Sequence, residues 1–159
     1  MEAKIDILTD HIKGLPKSKM DYQPNHTIEE WLENSKVSSN NINKLFTTED
    51  GTVNAFKDFI VSNNKNDKIP ISSEGKKIKL FCQEDGMKNW VRCNDDILNK
   101  FINEIWRKFL EFYTKMPVDH SINEDIMFLQ KQKVLQMRSQ LCDVEKTKKR
   151  ILKWLTEIV

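Results

Sequence analysis

The chain has 159 residues, which is enough for one domain or for one domain with a small helical annex. Its four Gly and four Pro argue against a β-sandwich and against long disordered tracts. The net charge is +2, but residues 131–159 hold eight Lys/Arg against three acidic residues. This asymmetry is expected of a basic end that meets an anionic partner, or of a solvated helix face.

Short helices are predicted for the first part of the chain. Apolar spacing predicts a helix over residues 2–13, and Thr27 with Glu30 forms a capping box before a second helix that ends near Asn34. Further helices are predicted near residues 40–46 and from the TEDG segment to about Val61. Residues 62–68 are rich in turn formers and predict a linker.

A single β-hairpin is predicted over residues 76–93. Alternation of apolar and polar residues indicates a strand, and Asp85-Gly86 is a favoured two-residue turn because both positions tolerate positive φ. The turn sets the register, so that Phe81 faces Trp90, Leu80 faces Val91 and Ile78 faces Cys93. One face then carries five small or aliphatic residues: Ile78, Leu80, Cys82, Val91 and Cys93. The outer face carries Lys79, Arg92 and the Phe81–Trp90 pair.

Long amphipathic helices follow the hairpin. Residues 97–116 place their apolar side chains on one broad face, and Pro117 ends that helix. Ser121 and Glu124 form a second capping box before a helix from residue 122. Its main stripe consists of Ile122, Ile126, Leu129, Val134, Met137 and Leu141. Asp143 is the predicted cap of a last helix over residues 144–158, although one bent helix over residues 122–158 is the alternative.

These elements predict a mainly helical α+β fold in which the hairpin packs against long amphipathic helices. The chain divides into a short-helix region, residues 1–66, and a hairpin plus long-helix domain, residues 67–159. The two parts can also form one compact unit.

Residues 69–111 carry a resemblance to a known family. They run from Ile69-Pro70 through an alternating strand and a turn to Trp90-Val91-Arg92-Cys93, an acidic cap and an aromatic helix. This order resembles an uncharacterised domain at the C-terminal end of many proteins of large nucleocytoplasmic DNA viruses. The resemblance implies a virus-associated setting and an interaction or nucleic-acid-associated role, and it brings no catalytic residues. The chain lacks the Cys/His zinc motifs that often precede that domain.

The last helix carries the candidate nucleic-acid-binding residues. Four cations project on one side, namely Lys146, Lys149, Arg150 and Lys153, and apolar residues fill the other. A basic stripe of this kind neutralises phosphates, and Phe81 and Trp90 are the candidate aromatic residues for base stacking.

A candidate partner interface lies on the preceding helix. Phe128, Leu135 and Cys142 recur every seven residues, opposite the main apolar stripe. We call these three residues the heptad row. Apolar residues on two sides predict that the helix is sandwiched within the chain, or that the row meets another protein or a second copy.

Catalytic and metal-binding alternatives are weaker. Glu74-Gly75-Lys76 has the E-x-K form of metal-dependent nucleases, with Asp67 upstream, but residues 2–4 have the same form in a predicted helix. Cys82, Cys93 and Cys142 lack the close spacing of structural zinc ligands, and no Gly-rich phosphate loop is present. We therefore expect neither a resident metal nor a cofactor.

The localisation expected from the sequence is intracellular, either cytoplasmic or nuclear. The N-terminus lacks the pattern of a signal peptide, and no segment approaches the ~18 apolar residues of a membrane span. An odd number of dispersed cysteines indicates reduced thiols. The predicted function is thus a non-catalytic binding module for nucleic acid. The alternatives are a protein-interaction module or virion-type structural subunit and, third, a nuclease.

Overall fold

A computed structural model describes residues 24–64, 69–117 and 119–159. The described residues form six helices and one antiparallel sheet, which confirms the mainly helical α+β fold. The helices are α1 (Ile28–Asn34), α2 (Ser39–Thr47), α3 (Gly51–Ser62), α4 (Asp95–Lys115), α5 (Glu124–Cys142) and α6 (Glu145–Ile158). The strands are β1 (Ile71–Glu74), β2 (Lys77–Glu84) and β3 (Met87–Arg92). The predicted helix over residues 2–13 lies outside the described residues, as does most of the predicted linker.

Side-chain caps begin the first two helices. The predicted capping box of Thr27 and Glu30 is present at α1, where each side chain accepts a hydrogen bond from the backbone N–H of the other residue. Ser38 and Asn41 form an equivalent box at α2, which the sequence analysis did not identify. Both caps satisfy N–H groups that would otherwise have no partner in the first turn.

The predicted hairpin is confirmed in its register. Phe81 lies opposite Trp90 and Leu80 lies opposite Val91. The Cys93 N–H donates to the Ile78 carbonyl at 2.9 Å. Asp85 and Gly86 adopt φ values of 49° and 78°, the left-handed conformation that this two-residue turn requires.

A third strand extends the hairpin into a sheet of order β1-β2-β3. Strand β1 pairs antiparallel with β2, and Ile71 lies opposite Leu80. The connecting turn contains Gly75, whose φ of 66° suits a residue without a side chain. Strand β1 was not predicted, because four residues that include two serines give almost no apolar alternation.

The long helices differ from prediction at their ends. Helix α4 begins after the Asn94 cap, two residues before the predicted start at residue 97, and it stops before Pro117 as expected. Helix α5 starts at Glu124 because the Asn123 side chain caps it. The predicted Ser121 cap is wrong, since the Ser121 hydroxyl donates to Asp119 instead. The chain turns at residues 143–144, so α5 and α6 are two helices and the bent single helix is not formed.

One hydrophobic core joins residues from both predicted parts of the chain. The Phe56 ring in α3 meets the Phe101 ring in α4 edge to face, with centroids 6.2 Å apart. Phe59 and Phe109 lie 5.9 Å apart in the same layer. All four side chains are fully or almost fully buried, and Leu80 of β2 and Ile151 of α6 belong to the same core. The core therefore holds the sheet, α4 and α6 against the short helices.

Candidate nucleic-acid interface

Helix α6 separates its cations from its apolar residues. Ile151 and Leu155 are completely buried. The four predicted cations, Lys146, Lys149, Arg150 and Lys153, are exposed on the other side. We call these four residues the basic face. The spacing of three and four residues that predicted the face also places its members on adjacent turns of the helix.

Contacts with α5 and with strands β1 and β2 position α6 in the fold. Its first turn has no side-chain cap, because the residue at the cap position is Val144. The predicted Asp143 cap is therefore wrong, since Asp143 ends α5 instead. Lys148, a fifth cation of α6, is only 7% exposed and lies outside the basic face. A long lysine stem of this kind covers apolar surface while its ammonium group reaches toward water.

Arg150 forms an ion pair that fixes one corner of the basic face. Its Nη2 atom lies 3.1 Å from Oδ2 of Asp50, the residue before α3. Both side chains are about half exposed, so the pair contributes little to stability. It does orient the guanidinium group and reduces the net charge of the face. Within the part of the chain that the structure describes, Lys146, Lys149 and Lys153 form no ion pair.

A further cation adjoins the basic face from another helix. The Lys57 ammonium group of α3 lies 5.7 Å from the centre of the Trp154 ring, a cation–π contact. Trp154 follows Lys153 in α6, so this contact adds positive charge beside the face. Lys57 was not predicted to lie here, because no local sequence pattern relates residues that are nearly one hundred positions apart.

A polar groove of about 250 Å³ lies between α6, α3 and α5. Thr147 of α6 and Asp50, Gly51 and Thr52 at the start of α3 line it, together with Lys133 of α5. The Lys133 ammonium group donates to the Phe46 carbonyl at 3.0 Å. The groove thus continues the polar surface from α6 toward α3 and α5.

The predicted stacking residues do not form an open aromatic surface. Phe81 is 3% exposed, and its ring packs against Trp90 with centroids 5.3 Å apart. The expectation of two outward-facing rings is therefore wrong for Phe81. A hairpin pattern shows which face a side chain occupies, but it does not show whether another part of the chain covers that face.

Two of the three residues of the nuclease hypothesis, Glu74 and Lys76, lie at the β1–β2 turn. Glu74 ends β1, and its carboxylate contacts Arg92 at 2.9 Å and Lys79 at 3.7 Å. Lys76 follows in the exposed turn, whereas Asp67 lies outside the described residues. The described residues contain no group of three or more His, Cys, Asp or Glu side chains that could hold a metal ion.

The heptad row of α5 divides into an exposed part and a buried part. Phe128 is 61% exposed and Leu135 is 42% exposed. Cys142 is only 6% exposed and belongs to the core, so its predicted place in a partner interface is wrong. Ile126 and Leu129 of the predicted main stripe are also exposed, and burial along that stripe begins at Val134.

Three comparisons with known proteins gave no relative. No family model, curated protein or solved structure matches the chain. The likeness of residues 69–111 to a viral domain therefore stays a prediction.

Among the described helices, none is both long enough and apolar enough to cross a membrane.

The three cysteines have free thiols. Burial, with smaller effects from Glu29 and Glu84, raises the pKa of Cys82 to about 11. Burial, together with nearby Cys82 and Asp95, raises the pKa of Cys93 to about 12. Burial also raises the pKa of Cys142. Thiols with such high pKa values remain protonated at neutral pH and are poor nucleophiles and poor metal ligands.

Proposed function

We propose that the chain is a non-catalytic binding module that associates with nucleic acid through the basic face of α6. The observation that carries this proposal is the exposure of Lys146, Lys149 and Lys153, which have no acidic partner among the described residues. Arg150 lies beside them and is oriented by Asp50 at 3.1 Å.

The dimensions of the basic face suit a phosphate backbone. Residues 146–153 span about 10 Å along the helix axis at ~1.5 Å per residue. Phosphates of one DNA strand follow each other at ~3.4 Å along the duplex axis, so the face spans about three such steps, which separate four phosphates. Lysine side chains are flexible point charges, which favours backbone contact over reading of base sequence.

The ion pairs and protonation states of the candidate catalytic groups support a non-catalytic role. The Glu74 carboxylate faces two cations, Arg92 and Lys79, rather than a cluster of acids. The high pKa values of Cys82 and Cys93 keep both thiols protonated at neutral pH. We further propose an intracellular, virus-associated setting, which the free cysteines and the resemblance of residues 69–111 support.

Charge reversal on α6 tests the proposal. The variant K149E/K153E leaves the Arg150–Asp50 pair in place and changes the net charge by −4. The control R107E/K115E makes the same change of charge on α4, at side chains that are 67% and 74% exposed. We expect K149E/K153E to weaken binding of a labelled 20-nucleotide RNA or 20-base-pair DNA at least tenfold, and R107E/K115E to weaken it much less.

Two results of this experiment would contradict the proposal. The wild-type chain could fail to bind either probe at low salt, which would make the basic face a solvated surface. The two variants could also lose binding equally, which would assign the effect to net charge alone. Thermal unfolding of each variant controls for loss of fold.

A further inference from the structure

We propose that α5 is a self-association surface, on which two copies of the chain pair antiparallel through Phe128 and Leu135. This inference goes beyond nucleic-acid binding, because it gives the chain a protein partner of defined geometry, as in a structural subunit. It does not depend on the basic face of α6. The occupant of the surface is a second copy of this chain.

The exposure of Phe128 and Leu135 is the first observation. Phe128 is 61% exposed and Leu135 is 42% exposed, and a seven-residue spacing places both on one side of α5. Large apolar side chains that are exposed together on one helix mark interaction surfaces. Burial of a phenylalanine and a leucine from each copy removes substantial apolar area from water.

Hydrogen bonds to α4 hold α5 so that this side faces outward. The Trp106 indole N–H donates to the Val134 carbonyl at 2.8 Å, and the Tyr113 hydroxyl donates to the Met127 carbonyl at 3.4 Å. Val134 is completely buried. Because these contacts anchor α5 at Met127 and Val134, on either side of Lys131, a partner meets a preformed surface.

The charges beside the apolar pair indicate a second copy in the reverse direction. Glu124, Lys131 and Arg138 are also seven residues apart and form a neighbouring row on α5. From the N-terminal end, this row reads negative, positive, positive. In a parallel pair each charge meets the same charge of the copy, whereas an antiparallel pair brings each Glu124 to an Arg138.

The apolar and charged rows require the same antiparallel register. If Phe128 lies opposite Leu135 of the copy, Glu124 lies within one residue of Arg138 of the copy at both ends. The Arg138 Nε–H donates to Asn103 at 2.8 Å, which holds the guanidinium group in place. Such a two-fold interface is isologous, the commonest arrangement in homodimers.

The centre of the pairing limits its strength. At the two-fold axis, Lys131 of one chain lies near Lys131 of the second copy. The two ammonium groups repel each other there. We therefore expect a dimer that forms at micromolar concentrations and tightens when Lys131 is replaced by Gln. A variant that tightens a dimer of fixed stoichiometry is informative, because loss of fold gives aggregates of mixed size instead.

Sedimentation equilibrium of the whole chain from 1 to 200 µM tests the pairing. We expect wild-type dimers, and at least tenfold weaker dimerisation of F128S. The control I126S removes a side chain that is 43% exposed on the opposite side of α5, two residues away. It should dimerise like the wild type. A monomeric wild-type chain at 200 µM, or equal effects of F128S and I126S, would overturn the proposal.

Charge exchange tests the antiparallel direction. E124R and R138E should each weaken the dimer several-fold, whereas E124R/R138E restores opposite charges at both ends and should recover most of the affinity. A double variant that is weaker than both single variants would overturn the antiparallel register. Binding of labelled DNA by F128S should match the wild type, so that a failure here is distinguishable from a failure of the basic face.

Discussion

Gly51 shows how one residue depends on the absence of a side chain. A Cβ atom at this position would overlap the backbone oxygen of Leu45, which has no freedom to move aside. We expect G51A to lower the free energy of unfolding by about 2–3 kcal/mol through this overlap, measured by urea denaturation.

Gly75 provides the matched control for Gly51. It has a φ of +66°, but nothing lies within 4 Å of a Cβ atom at that position. G75A should therefore cost only the ~1 kcal/mol of a left-handed alanine. If G75A proved more destabilising than G51A, the close approach of α3 to Leu45 would be wrong.

Cys82 and Cys93 give a prediction about pH. Their pKa values are about 11 and about 12, so the thiolate fraction of each keeps rising at pH values where an ordinary thiol is already fully ionised. Alkylation by iodoacetamide at pH 8 should be slower than that of glutathione by about 100-fold at Cys82 and by about 1,000-fold at Cys93. Both rates should rise nearly tenfold per pH unit up to pH 10.

Mass spectrometry of C82S and of the wild-type chain assigns each alkylation rate to one cysteine. A rate that levels off near pH 9 would show that burial does not raise these pKa values.

Exposure of single residues was the least predictable property of the candidate surfaces. The heptad spacing of Phe128, Leu135 and Cys142 predicts that all three lie on one side of α5. It could not show that α5 is covered at its C-terminal end and uncovered nearer its start, because coverage depends on distant elements. For the same reason the sequence identified the basic face of α6 but missed Lys57 beside it.

At the scale of elements, Asn41 joins α2 to α3. Its buried amide accepts from the Ser38 N–H at 2.8 Å and donates to Asp58 at 2.7 Å. Asn40 donates to the same Asp58 oxygen at 3.0 Å from an exposed position. We expect N41A to lower the free energy of unfolding by about 2–3 kcal/mol, and N40A by less than about 1 kcal/mol.

Urea denaturation monitored by far-UV circular dichroism measures both variants. Equal losses for N41A and N40A would mean that the buried amide network does not hold the two helices together.

Elements with strong local signals were predicted well. The capping box of Thr27 and the Asp85-Gly86 turn each combine a required conformation with a residue that favours it. Strand β1 was missed because its pairing with β2, rather than its own pattern, makes it a strand. The predicted start of α5 was wrong because Asn123 and Ser121 both have cap-forming side chains. Asn123 caps the helix, whereas the Ser121 hydroxyl donates to Asp119.

At the scale of the whole molecule, the shared core predicts cooperative unfolding. Phe56 and Phe59 of the first predicted part pack against Phe101 and Phe109 of the second. We expect tryptophan fluorescence and far-UV circular dichroism to report the same single transition in urea. Two separated transitions would indicate that residues 1–66 and 67–159 unfold as independent units.

The salt dependence of DNA binding tests the basic face most directly. Fluorescence anisotropy of a labelled 20-base-pair duplex, measured across a series of NaCl concentrations, should give a slope of about −3.6 in log K against log salt for four phosphate contacts. K153A should make this slope shallower by about 0.9, and R107A on α4 should leave it unchanged. A wild-type slope near zero, or a K153A slope equal to that of the wild type, would contradict phosphate binding by α6.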